Sequence, residues 1–254
     1  MKKDKNIIDD GFHPEFVENA DFAGVFELPV IETPKEIIVP QGMIPFTKRE
    51  YTDNFKEAVV FYEHDIRFRD ILTATDEYIE DLKRFPAVVT PDCSLYRDMP
   101  LVLQITNTYL SRQIGVKFQS EGIYTIPNVR WGDERSYTTI LFPEPFAFIG
   151  IPKNSIVSIG TYGCIRGREN KQHFKAGLEA LITFLEPQVV LVYGPMPEDI
   201  FGPYLGKTRF IQFDDWTKIK KKEAADLRDF ASRLRDIPII EDGEIIGYET
   251  YLEE

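Results

Sequence analysis

From about residue 57 to about residue 235, short apolar runs alternate with stretches of helical spacing. The runs are Ala58–Tyr62, Ala87–Thr90, Ile123–Ile126, Ser155–Ile159, Val189–Tyr193 and Arg209–Phe213. They are β-branched or aromatic, and most do not alternate with polar residues. That is the signature of strands covered on both faces, as in parallel sheets. Between them, helical spacing links Phe68, Ile71, Leu72, Ile79 and Leu82. A second series is Val102, Ile105, Tyr109 and Val116, with Pro100 suited to a first helical turn. The clearest apolar stripe is Phe174, Leu178, Leu181, Ile182 and Leu185, and Leu227, Phe230 and Leu234 close the series. Pro143 and Pro145 break any long helix over 136–148.

This order predicts an α/β fold: a mostly parallel sheet of about six βα units joined by right-handed crossovers. Six units are fewer than the eight of a complete barrel, so the expectation is an open sheet or an incomplete barrel. The division expected is 1–56, an N-terminal arm with short extended runs at 25–31 and 36–39; 57–235, the core; and 236–254, a tail. Asp242-Gly243 between apolar pairs signals a hairpin in that tail. No fixed-period repeat or low-complexity tract is present.

Ligands in parallel α/β folds bind beyond the carboxyl ends of the strands. Six expected turns gather there: Glu63-His64-Asp65, Pro91-Asp92-Cys93-Ser94, Pro127-Asn128-Val129-Arg130-Trp131, the loop from Gly160, Tyr193-Gly194-Pro195, and Asp214-Asp215-Trp216. Caps and turns also favour Asp, Ser, Asn and Gly, so the coincidence of six carries more than any one residue. The sharpest loop runs from Gly160 through Tyr162, Gly163 and Cys164 to Arg166 and Gly167, ahead of the best helix. Its amides could face an anion at a helix N-terminus, although its spacing is neither a Walker loop nor a dinucleotide fingerprint. A tight turn with a solvated basic face is the alternative.

Asp92 and Asn128 are the candidates for catalytic chemistry, with Asp92 as base or metal ligand. Ser94, Arg130, Trp131, Gly160, Tyr162, Gly163 and Arg166 are the candidate ligand-binding residues. If Asp65, Asp92 and Asp214 converge, they would suit a hard divalent cation such as Mg²⁺; capping is the alternative for Asp92. Cys93 and Cys164 could form a nucleophile with a histidine or be plain buried thiols. Trp131 could stack on a base or belong to the core.

Charge narrows the partners. Thirty basic against 42 acidic residues leave −12, which argues against non-specific binding to nucleic acid or to an anionic membrane. Residues 112–175 are locally basic, with nine Lys or Arg against five Asp or Glu. Their arginines either bind phosphate or carboxylate or pair with the acidic excess. No apolar run reaches the roughly 18 residues that span a bilayer. Two cysteines give neither a disulfide framework nor a four-cysteine zinc site, and the first residues lead into no long apolar segment. The expected location is therefore cytoplasmic. The expected role is binding, with or without hydrolysis or transfer, of a small anionic, nucleotide-like ligand. The alternative is a non-catalytic acidic protein that engages a host or replication protein partner.

Thr90-Pro-Asp-Cys-Ser-Leu-Tyr-Arg-Asp-Met-Pro, Gln104-Ile-Thr-Asn-Thr-Tyr, Gly122-Ile-Tyr-Thr-Ile-Pro-Asn-Val-Arg-Trp, Gly160-Thr-Tyr-Gly-Cys and Val192-Tyr-Gly together resemble an uncharacterised family, domain of unknown function 4417. The resemblance covers roughly residues 57–216 and implies a relation to proteins of bacteria, phages and mobile elements. It implies a shared rim of Asp92, Ser94, Tyr96, Asn128, Trp131 and Gly163, and no mechanism. Cys93 stands where the family carries Phe, which speaks against catalysis by that thiol.

Overall fold

The computed structural model describes residues 11–241 and 244–252. The chain divides between Phe213 and Asp214 into two compact units.

The first unit is built on seven parallel strands: β1 (Gly42–Pro45), β2 (Glu57–Val60), β3 (Ala87–Val89), β4 (Thr125–Ile126), β5 (Ile156–Gly160), β6 (Val189–Tyr193) and β7 (Arg209–Phe213). β1 to β4 pair in sequence order, and so do β5 to β7. An isolated parallel bridge, Asn128 to Ser158, joins the two sets, with Ser158 N donating to Pro127 O at 2.9 Å and Val129 N to Ser158 O at 2.8 Å. The array is α/β and not a closed barrel. Its first strand lies ahead of residue 57, whereas the run at 36–39 forms no strand. Within 25–31 only Leu28–Pro29 is extended, paired antiparallel with Phe22–Ala23.

Both faces of the inner strands are buried, which is why their sequences are mostly apolar, whereas the edge strand β7 keeps Arg209 and Gln212 exposed. One face carries Ala58, Val60, Ala87, Val89, Ile126, Ile156, Val189, Leu191 and Tyr193. The other carries Val157, Ile159, Val190 and Val192, packed on helix α2 (Arg168–Leu185) through Phe174, Leu178, Leu181, Ile182 and Leu185. The stripe expected from the sequence is thus the buried face of α2.

Helix α1 (Leu101–Ser120) buries a different side from the one its apolar spacing predicts. Gln104, Thr108, Ser111, Arg112 and Gln113 are inside, whereas Val102 is 66% exposed. Polar side chains are buried because loop carbonyls above the helix need donors. Gln104 donates to Met99 O, Ser111 to Pro91 O, Gln113 to Gly11 O, and Arg112 to the carbonyls of Asn128, Ala147 and Ile149. The remaining apolar side, Leu101, Val102, Ile105, Tyr109 and Leu110, lines a groove of about 650 Å³ with Phe12 and Phe26. The stretch 136–148 holds only the end of a four-residue helix, Glu134–Tyr137, and one 3-10 turn at Phe146–Phe148.

The second unit consists of helix α3 (Trp216–Ser232) and an antiparallel pair, β8 (Leu234–Glu241) and β9 (Glu244–Leu252). Asp215 caps α3, accepting from Lys218 N at 3.1 Å. The pairing runs from Leu234 opposite Leu252 to Glu241 opposite Glu244, with a register shift between Ile239 and Ile240. The expected turn residues, Asp242 and Gly243, lie outside the described residues. No helix among the described residues is long and apolar enough to cross a membrane.

Candidate functional site

At the carboxyl ends of β2 to β5, five polar side chains from four segments meet. Asp92 follows β3 and is 8% exposed. Its Oδ1 accepts from Asn128 Nδ2 at 2.8 Å, and its Oδ2 faces Arg130 Nη1 at 3.4 Å. Asn128 Oδ1 in turn accepts from the Tyr62 hydroxyl at 3.1 Å, and that hydroxyl lies 2.6 Å from Ser158 Oγ. Since the phenol's one proton goes to Asn128, Ser158 donates to Tyr62. The result is a directed chain of hydrogen bonds from Ser158 through Tyr62 and Asn128 to Asp92.

Local chemistry explains each position. In the extended segment after β4, neighbouring side chains point to opposite sides. Asn128 and Arg130 face the polar cluster, while Val129 and Trp131 enter the core under α2. In β5 the same alternation sends Val157 and Ile159 to α2 and Ser158 to Tyr62. Gly160 allows the Tyr62 ring to lie against β5, since a Cβ there would sit 2.5 Å from Tyr62 Cδ1. The Tyr62 ring stacks on Tyr193 with centroids 5.1 Å apart.

Burial dominates the electrostatics. It raises the Asp92 carboxyl above the ordinary aspartate range, against the opposing pull of Arg130 and the Asn128 hydrogen bond. Burial, and next the Asp92 charge, hold the Tyr62 phenol well above its usual value. Asp92 in return stabilises the Arg130 cation. Burial also raises both thiols, Cys93 most of all, so neither has the lowered pKa of an activated nucleophile. Arg112, under the cluster, is drawn down to about 10 by burial, and it remains a cation at neutral pH.

The structure thus brings Asp92, Asn128 and Arg130 together. The loop after β5 joins them through Cys164, whose Sγ lies 3.2 Å from Arg130 Nη1. Tyr162 and Arg166 of that loop are exposed, with the guanidinium 5.9 Å from the Tyr162 ring centre. Gly163 and Gly167 take φ of +79° and +80°, the left-handed region that suits glycine.

Other candidates sit elsewhere. Trp131 is 8% exposed and packs on Phe174 with its ring against Gly177, so it is core rather than a stacking platform. Gly160 seats Tyr62 rather than offering its amide to an anion. Ser94 donates its backbone N–H and its hydroxyl to Asp65 at 2.9 and 2.6 Å, which occupies both carboxylate oxygens. Asp92 is taken by Asn128 and Arg130, and Asp214 belongs to the second unit, where Lys218 holds it at 2.7 Å. Among the described residues no group of three or more His, Cys, Asp or Glu is disposed to hold a metal ion. Tyr62 and Ser158 were read from the sequence only as strand residues. Their signal was a hydroxyl at the end of one apolar run and inside another.

Two curated proteins, each called Gene 1 protein, are similar to this chain. That of Mycobacterium phage L5 is 33% identical over 148 residues, covering 58% of this chain and 62% of the relative. That of Mycobacterium phage D29 is 32% identical over 146 residues, covering 58% of this chain and 52% of the relative. The chain therefore matches only about half to three-fifths of the length of these relatives. No solved structure matches. Residues 20–214, which take in all seven parallel strands and the whole polar cluster, match the family described as Domain of unknown function (DUF4417), and the chain belongs to that family.

Proposed function

We propose that this chain binds a small anionic, nucleotide-like ligand at the carboxyl ends of its parallel strands and uses Asp92 to hold or move a proton there. The observation that carries the reading is the buried Asp92–Arg130 pair, ordered by Asn128, Tyr62 and Ser158. A buried ion pair is poor value for stability alone, and a carboxyl perturbed by burial beside a specific cation is typical of functional sites. Arg166 and the amides of the loop from Tyr162 to Gly167 would meet the ligand's anionic group, with Tyr162 against its flat face. Asp92 would then act as general base or acid on a group brought within hydrogen-bond reach.

Thermal denaturation of the full chain with nucleoside mono-, di- and triphosphates and with inorganic phosphate, each with and without Mg²⁺, tests this. A ligand at a hundred times its Kd adds about 2.7 kcal/mol, a rise of roughly 5 °C or more for a unit of this size. The expected result is such a rise for at least one nucleotide, largely lost in Arg166→Ala, whose side chain is exposed. No shift with any of them overturns the proposal.

A further inference from the structure

Within the second unit, β9 has β8 as its one strand neighbour among the described residues, in a two-stranded sheet. An isolated two-stranded hairpin is marginally stable in water. Its two outer edges differ. β8 contains Pro238 and the register shift at Ile239/Ile240, the two devices that blunt an edge. β9 runs Glu-Ile-Ile-Gly-Tyr-Glu-Thr-Tyr-Leu, nine residues with no proline and rich in Ile, Tyr and Thr. Pro238 has no N–H to exchange with Tyr248, its cross-strand neighbour. That suits a non-hydrogen-bonded pair, in which the N–H of Tyr248 faces the outer edge of β9.

We propose that the chain forms a two-fold dimer in which β9 of one copy pairs antiparallel with β9 of a second, making a four-stranded sheet. The centre of β9 is Tyr248. Antiparallel pairing about it sets Glu249 against Gly247 and Glu244 against Leu252 of the copy, so no two carboxylates are directly opposed. The charge of the unit is self-complementary. Residues 218–222 hold four lysines and no acid, whereas residues 236–254 hold seven acidic residues and no base. Lys218 and Lys220 pair with Asp214 and Glu223, and Lys221 and Lys222 have no acidic partner among the described residues. A two-fold arrangement brings two lysine segments and two acidic hairpins into one assembly, so the charges that attract across the axis occur twice. Leu227 and Phe230, three residues apart on α3, are 68% and 51% exposed and add apolar surface to the same unit.

Light scattering of the full chain during size exclusion, from about 1 to 100 µM, reads the mass against the 29.4 kDa of one chain. The expected result is a dimer, converted to monomer by Tyr248→Pro. Because that variant could also lose the hairpin, cysteine substitutions report on the intact sheet. Tyr248→Cys, which faces its own copy across the two-fold, and the double variant Ile246→Cys/Thr250→Cys, whose two positions face each other, are expected to give a disulfide-linked dimer on mild oxidation. Ile237→Cys and Ile239→Cys in β8 are expected to link no more than the parent chain does. A monomer at every concentration, or cross-linking through β8 as readily as through β9, overturns the proposal. So does a dimer that Tyr248→Pro leaves intact.

Discussion

Asp92 shows what one buried carboxyl does to the whole protein. Its folded-state pKa lies above the ordinary value of 3.8, with burial as the main cause. Above 3.8 the unfolded chain has released this proton while the folded chain still holds it, so folding loses stability as the pH climbs through the raised value. Asp92→Asn removes that slope. Urea midpoints measured from about pH 4 to pH 8 are expected to show the variant gaining relative to the parent chain as the pH rises, and a constant difference would disprove the shift. Asp92, Asn128 and Arg130 were legible in the sequence because all three follow strand-like runs at the edge where parallel sheets bind ligands. Of the two roles open to Trp131 the structure gives the core one, because it is the next residue in an extended segment and alternation turns it to the opposite side. Tyr62 and Ser158 escaped because a polar residue inside an apolar run looks like an exception to the core. Here that exception is the inner wall of the site.

Helices show where periodicity succeeds and where it fails. In α2 the apolar stripe is the buried stripe, because the surface beneath it is made of Val157, Ile159, Val190 and Val192. In α1 the rule holds only in part, since Ile114 and Phe118 are buried beside polar side chains. The surface beneath it offers the main-chain oxygens of residues 91, 99, 128, 147 and 149, and it selects Ser111, Gln104 and Arg112. A pattern of apolar positions cannot announce a buried face made of hydrogen-bond donors. β1 was missed for a related reason: Gly42-Met-Ile-Pro45 is four residues bounded by two strand-breakers, yet it aligns in register with β2. The end of α2 offers a test at this scale. Glu186 caps it with φ of +47° and donates its N–H to Ile182 O. A non-glycine residue is strained there, and glycine is the common solution. Glu186→Gly is expected to stabilise the protein by about 0.5–1 kcal/mol, read as a higher urea midpoint with an unchanged slope.

At the scale of the molecule, the boundary between Phe213 and Asp214 separates a unit that contains its own core from one that holds a helix and a hairpin. The alternating runs made the parallel architecture readable, and they also carried the sequence reading past the boundary, since the spacing of Leu227 and Phe230 in α3 resembles one more crossover helix. A chain ending at Phe213 is expected to unfold in a single cooperative transition, with a urea slope in keeping with its size and the Asp92 pH dependence preserved. Loss of cooperativity would show that the second unit is needed for the first to fold. The order of the strands has its own consequence for synthesis. Each strand from β1 to β7 lies beside the one made just before it, and the bridge from Asn128 to Ser158 continues that order across the middle. A nascent chain leaving the ribosome never has to keep an early strand waiting for a distant mate. Such a sheet can lengthen strand by strand as translation proceeds, with the newest strand always the next to be paired.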